Sequence, residues 1–201
     1  EEDKLEKVID YCLSALIANH MERIPHVIGN RNLASGSHQK RRESIPIISD
    51  IDQIDGQAHV ILAWAMLAKS RGLTEFEERT YPVIAKLMEH SITPPYLTSR
   101  SLTNPGLVCN TNLEHSREGR MWHTFDFLTQ SFVASALENM IPVAERRGDR
   151  RHADLWSHRL QFLSESVAMK MTRKSGGKRI YMEMLLPTDR EPEPFPGLGW
   201  L

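Results

Sequence analysis

Only two cysteines, Cys12 and Cys109, occur in 201 residues, too few for a disulfide framework. Each sits among apolar neighbours, so the pair reads as two buried thiols and leaves the redox compartment open. No window approaches the roughly 18 uninterrupted apolar residues of a membrane-spanning helix. Neither sign of charge is in excess: the formal net charge is -1, so the overall field favours neither nucleic acid nor an anionic membrane as partner. The opening EEDKLEKVID lacks the basic start and apolar run of a signal peptide; the expectation is a soluble chain, cytoplasmic or secreted after such a peptide is removed. The nine histidines are scattered without an HExxH, and there is no GxGxxG, GxxxxGK or GxSxG. Zinc chemistry, nucleotide cofactors and a Ser-His-Asp elbow are therefore not expected, and the predicted site has no metal and no cofactor.

What is present is ordinary in amount, 40% hydrophobic and 25% charged residues, and distinctive in arrangement. Leu5, Val8, Ile9, Cys12, Leu13, Leu16 and Ile17 recur at helical spacing, which predicts an amphipathic helix over residues 3–20. Residues 22–50 then lose the period in a long excursion punctuated by Pro25, Gly29, Gly36 and Pro46. A helix over about 57–70 follows, with the centre VILAWAMLA. It is apolar nearly all round, so it belongs in an interior, with Trp64 in the core. Arg71 and Gly72 end it, and Thr74 with Glu77 forms a capping box for a half-wet helix through about His90 that contains Pro82. After an aperiodic stretch rich in proline, a second broadly apolar helix is predicted from about Trp122 to Arg146. Gly148 and Asp149 break the chain before an amphipathic helix to about Met171, a short strand within RIYMEMLL and an apolar end, PFPGLGWL.

The two apolar helices end alike. Ala68, Arg71 and Gly72 correspond to Ala144, Arg147 and Gly148, and each glycine leads into a half-wet helix. Stacking such units puts apolar helices inside and amphipathic ones outside, in the order outer, inner, outer, inner, outer. The loops preceding the inner helices then emerge at one end. On that basis Asp50, Asp52 and Asp55 should face Glu114, Glu118 and Asp126 across a common mouth.

Carboxylates meeting across a cleft suit glycosidic bond cleavage, which needs one carboxyl held protonated as general acid and another ionised as base or nucleophile. Glu118 is the first choice for the acid, because Arg117, Arg120 and Trp122 surround it in sequence; an arginine in contact would instead hold it ionised, which keeps Glu114 as the rival. Asp52 is the preferred partner carboxylate, with Asp50 beside it. Asp55, His115, Arg117, Arg120, Trp122, His123 and Asp126 complete the expected substrate-binding set. Asp55, just ahead of Gln57, is equally well explained as a helix cap.

The segments SDIDQIDGQAHVILAW and NTNLEHSREGRMWHTFDFLTQSFVASALENM, with the paired A..RG turns, resemble the six-hairpin, or (α/α)6 toroid, glycosidase superfamily. The resemblance implies an all-α fold in which a ring of inner helices lies within outer helices, with carboxylate-bearing loops at the mouth acting on a carbohydrate. A full ring takes about twice this length. Residues 1–201 are thus expected to be a single helical domain or a fragment of a larger toroid, completed by a further chain segment or by a homo-oligomer. Two alternatives stand beside hydrolysis of an oligosaccharide. One is a helical-repeat interaction module whose acids are all paired. The other is a toroid-fold polysaccharide lyase or sugar epimerase, in which Tyr96 or His123 serves as base and Arg117 quiets a substrate carboxylate.

Overall fold

Helix signals in the chain translate, among the described residues, into five α-helices, and short strands occupy the intervals between some of them. The computed structural model describes residues 1–21, 24, 27–28, 47–49, 54–92, 106–112 and 122–185. The helices are α1 (Glu2–Ala18), α2 (Ile54–Arg71), α3 (Glu75–Leu87, relaxing into a π turn at Met88–Ile92), α4 (Phe127–Arg146) and α5 (Arg150–Lys170). The strands are β1 (Val27–Ile28), β2 (Ile47–Ser49), β3 (Asn110–Asn112), β4 (Trp122–Asp126), β5 (Thr172–Ser175), β6 (Lys178–Tyr181) and β7 (Met184–Leu185). All pairings are antiparallel: β1 with β2, β4 with both β3 and β7, and β5 with β6. The protein is predominantly helical, as the all-α expectation requires, with these small sheets added. No described helix is long and apolar enough to cross a membrane.

Two boundaries differ from the sequence expectation. Trp122 to Asp126 is strand, not the start of α4, because the helix waits for its cap: Asp126 takes an extended conformation and its carboxylate accepts the Thr129 N–H. RIYMEMLL is divided between β6 and β7, which belong to different sheets. The Thr74 half of the capping box forms as expected, its hydroxyl oxygen accepting the Glu77 N–H at 3.2 Å. Helix α3 continues past Pro82.

The core is built on α2 and α4, with α4 packed between α2 and α5. Trp64, Ile61, Leu137, Met140, Val143 and Trp156 are at most 1% exposed. Three contacts pair the early part of α2 with the early part of α4 and the late part with the late part. The His59 and Phe132 rings lie 3.8 Å apart, Lys69 Nζ donates to Asn139 Oδ1 at 3.0 Å, and Arg146 Nη1 donates to the Ala68 carbonyl at 3.1 Å. Helices α2 and α4 are therefore parallel. Helices α1, α3 and α5 start where α2 and α4 finish. Arg71, ending α2, holds Glu2, Asp3 and Glu6 at the start of α1; Arg147, after α4, holds Glu77 and Glu78 at the start of α3. The following turns share a left-handed glycine, Gly72 at φ 74° and Gly148 at φ 73°, a conformation that costs an L side chain about 1 kcal/mol or more. Cys12 and Cys109 are half-buried and form no disulfide with one another.

Candidate functional site

The starts of α2 and α4 carry the same device. In each helix the fourth residue is a buried glutamine, Gln57 at 2% and Gln130 at 1% exposure. Gln57 Oε1 accepts the Ile24 N–H, and its Nε2 donates to the Ile24 carbonyl, both at 2.8 Å. Gln130 treats Val108 identically, with both bonds again at 2.8 Å, and its Nε2 also reaches the Asp126 carbonyl at 3.0 Å. A primary amide offers one acceptor and a pair of donors, so it satisfies a backbone unit as a neighbouring strand would. Each clamped residue lies just ahead of a hairpin, β1–β2 before α2 and β3–β4 before α4. Gln130→Leu leaves the Val108 N–H and carbonyl buried without their partners. We expect it to lower stability by about 2–4 kcal/mol, read as a reduced urea midpoint with unchanged slope; a midpoint equal to the parent's contradicts the clamp.

The chain around these two helix starts holds the residues singled out from sequence. Asp50, Asp52, Glu114, His115, Arg117, Glu118 and Arg120 lie outside the described residues. Trp122 and His123 belong to β4, paired in register with Asn112 and Thr111. Asp55 is half-buried within the first turn of α2 rather than ahead of the helix as a cap, where a negative charge complements the helix dipole. Asp126 is 6% exposed and engages both carboxylate oxygens, Oδ1 with the Thr129 N–H at 2.6 Å and Oδ2 with the Thr129 hydroxyl at 2.9 Å. One turn along from Asp55, exposed His59 meets half-buried Phe132 of α4, and Leu128, one turn before Phe132, is 61% exposed. The structure thus brings the Asp55 end of α2 beside the Asp126 end of α4. The sequence reading missed Gln57, Gln130 and His59. The signal for the glutamines was a Gln at matching positions of the two apolar helices.

A second group of ionisable side chains surrounds a cleft of about 390 Å³ between α3 and the start of α5, lined among others by Tyr81, Lys86, Glu89, His90, Asp149 and His152. His152 bridges two carboxylates, with Nδ1 2.6 Å from Asp149 Oδ2 and Nε2 3.2 Å from Glu89 Oε1, and its ring stacks on Trp156. The Tyr81 hydroxyl donates to Asp149 Oδ2 at 2.8 Å. Burial pushes the Asp149 carboxyl up, but the bonds from His152 and Tyr81 outweigh it and hold the group below 3.8. Burial, then the bond to Asp149, raises the Tyr81 phenol well above 10.0. A depressed acid contributes stability above its unfolded value that is lost as the pH falls through the folded one. Asp149→Asn keeps the α5 cap yet removes that charge. We expect its melting temperature to fall less than the parent's between about pH 4 and pH 2; parallel acid limbs contradict the assignment. Among the described residues no group of three or more His, Cys, Asp or Glu side chains is placed to hold a metal ion.

Compared with protein-family models, curated proteins and solved structures, the chain matches none.

Proposed function

We propose that the chain is a glycoside hydrolase, or the part of one that carries its carboxylates, and that α2 and α4 are neighbouring inner helices of an (α/α) toroid with α1, α3 and α5 in the outer layer. The observation that supports this most is the parallel pairing of α2 and α4, each with a hairpin anchored at its start by a buried glutamine. Residues 50–53 connect β2 to α2, and residues 113–121 connect β3 to β4. The acids of the proposal fall in these two connections by sequence, Asp50 and Asp52 in one and Glu114 and Glu118 in the other. In this reading Glu118 protonates the leaving oxygen, with Glu114 as its rival, and Asp52 or Asp50 acts as base or nucleophile. Asp55, His115, Arg117, Arg120, Trp122, His123 and Asp126 line or support the surface that receives the carbohydrate.

The test is a mass-spectrometric screen of the protein against a panel of oligosaccharides, run beside Glu118→Gln and Asp52→Asn. Cleavage by the parent that disappears in either variant, with circular dichroism unchanged, supports a carboxylate-driven hydrolase. Cleavage of no glycan by the folded parent refutes it.

A further inference from the structure

Residues 173–179, which form most of the β5–β6 hairpin, are all exposed. They carry four positive charges, Arg173, Lys174, Lys178 and Arg179, and no negative one. The formal net charge of -1 averages this segment with the rest of the chain and so conceals it. Among the described residues none of the four makes an ion pair. The strand register sets Lys174 directly opposite Arg179, Arg173 opposite Ile180, and Ser175 opposite Lys178. Residues opposite one another share a face of the ribbon, and like charges so placed oppose the pairing of the strands. A hairpin that keeps such a pair without a counter-charge is stabilised by an anion that binds across it.

The distribution of charge over the hairpin identifies the shape of that anion. Side chains alternate between the two faces of a strand. Lys174 and Arg179 therefore lie on one face, with Tyr181 (57% exposed) two residues further on, and Arg173 and Lys178 lie on the other. A flat anionic surface such as a membrane meets one face and leaves half of the charge unused. A groove walled by two rows of phosphates meets both. The major groove of B-form DNA, about 12 Å wide, admits a two-stranded ribbon. The tip of this ribbon is Gly176 and Gly177, at φ 55° and 76°, the conformation a two-residue turn needs and glycine supplies. No side chain widens that leading end. Contacts from lysine and arginine to phosphate position a protein on the duplex without reading its sequence.

We infer that the β5–β6 hairpin docks in the major groove of duplex DNA, each face neutralising phosphates of one wall, without sequence preference. This role does not depend on the proposed hydrolase. With about four phosphate contacts the affinity is modest and falls steeply with salt.

Fluorescence anisotropy of a short labelled DNA duplex, titrated with the whole chain, is the test. At about 50 mM salt the expected Kd lies between about 1 and 100 µM. Four contacts give a slope of log affinity against log salt of about -3.6, a loss of about 150-fold between about 50 and 200 mM. Lys174→Gln with Arg179→Gln, and separately Arg173→Gln with Lys178→Gln, should each reduce that slope by about 1.8, with the helical circular dichroism of the parent. An A-form RNA duplex, whose major groove is narrow, should bind less tightly than DNA. A folded chain that binds no duplex at about 50 mM salt overturns the inference, as does a slope that neither pair of substitutions changes. A slope that only one pair changes contradicts a groove with two walls. Tighter binding to phosphatidylserine vesicles, to single-stranded DNA or to the RNA duplex likewise overturns the assignment.

Discussion

Glu77→Ala is expected to be among the most destabilising single substitutions in this protein, by about 3–5 kcal/mol. Glu77 is 1% exposed and receives two guanidinium groups, Arg146 through Nη2 and Arg147 through Nη1, the latter at 3.1 Å. Those arginines are tied to everything that meets at this end of the bundle. Arg146 also donates to the Ala68 carbonyl, which closes α2 against α4. Arg147 continues to Glu78 and lies over the Tyr81 ring at 4.5 Å. Removing the carboxylate leaves two partly buried positive charges side by side with their shared counter-charge gone, and the loss of one member of a buried ion pair costs more than the pair contributes. Glu77→Gln keeps the shape and one acceptor, so it should cost about half as much. For a chain of this size about 2–4 °C accompanies each kcal/mol, which puts the Ala variant roughly 10 °C below the parent in a thermal melt. A melting temperature within about 1 °C of the parent's would show that the cluster is decorative.

Much of this framework is legible in the sequence, and the limits have physical causes. Leu13 and Leu16 on one face of α1, the apolar run about Trp64 and the glycines ending α2 and α4 are local signals, because periodicity and turn chemistry act within a few residues. The carboxylate of Glu77 was the wrong kind of problem for that logic. Next to Thr74 it reads as half of a capping box, yet its partners lie 69 and 70 residues away. Gln57 and Gln130 are similar cases, their partners 33 and 22 residues back in stretches with no period. Trp122 and Phe125 carry apolar character straight into α4, so periodicity alone starts that helix too early. Only the extended Asp126, capping Thr129, separates strand from helix.

The likeness of the two helix starts bears on how a site could be held there. A hairpin tied by two buried hydrogen bonds to the first turn of a core helix keeps its base still while its tip varies in sequence. In one case the tied chain leads to Asp50 and Asp52, in the other to Glu114 and Glu118. Loss of either glutamine should therefore loosen a hairpin base as well as lower stability, which links the clamp to the carboxylates proposed to act at that end.

On the proposed hydrolase reading, Glu118→Gln is the substitution expected to reduce glycan hydrolysis most, by about a thousandfold, within the range that positioned proton transfer contributes. A general acid matters in proportion to the poverty of the leaving group. On an aryl glycoside whose phenol departs without protonation, the same variant should therefore recover much of the parent's rate. Asp52→Asn should lose comparable activity on both substrates, since a base or nucleophile is needed whatever leaves. This contrast separates an acid from a residue that only holds the fold, because a structural defect slows both substrates alike. The product anomer adds the geometry: retention implies carboxyl groups about 5–5.5 Å apart, and inversion about 6.5–9.5 Å, room for a water between them. Should Glu118→Gln hydrolyse both substrates at the parent's rate while Glu114→Gln shows the leaving-group dependence, the acid is Glu114 and the arginines beside Glu118 hold it ionised. Undiminished hydrolysis in all three variants removes the carboxylate pair from the mechanism.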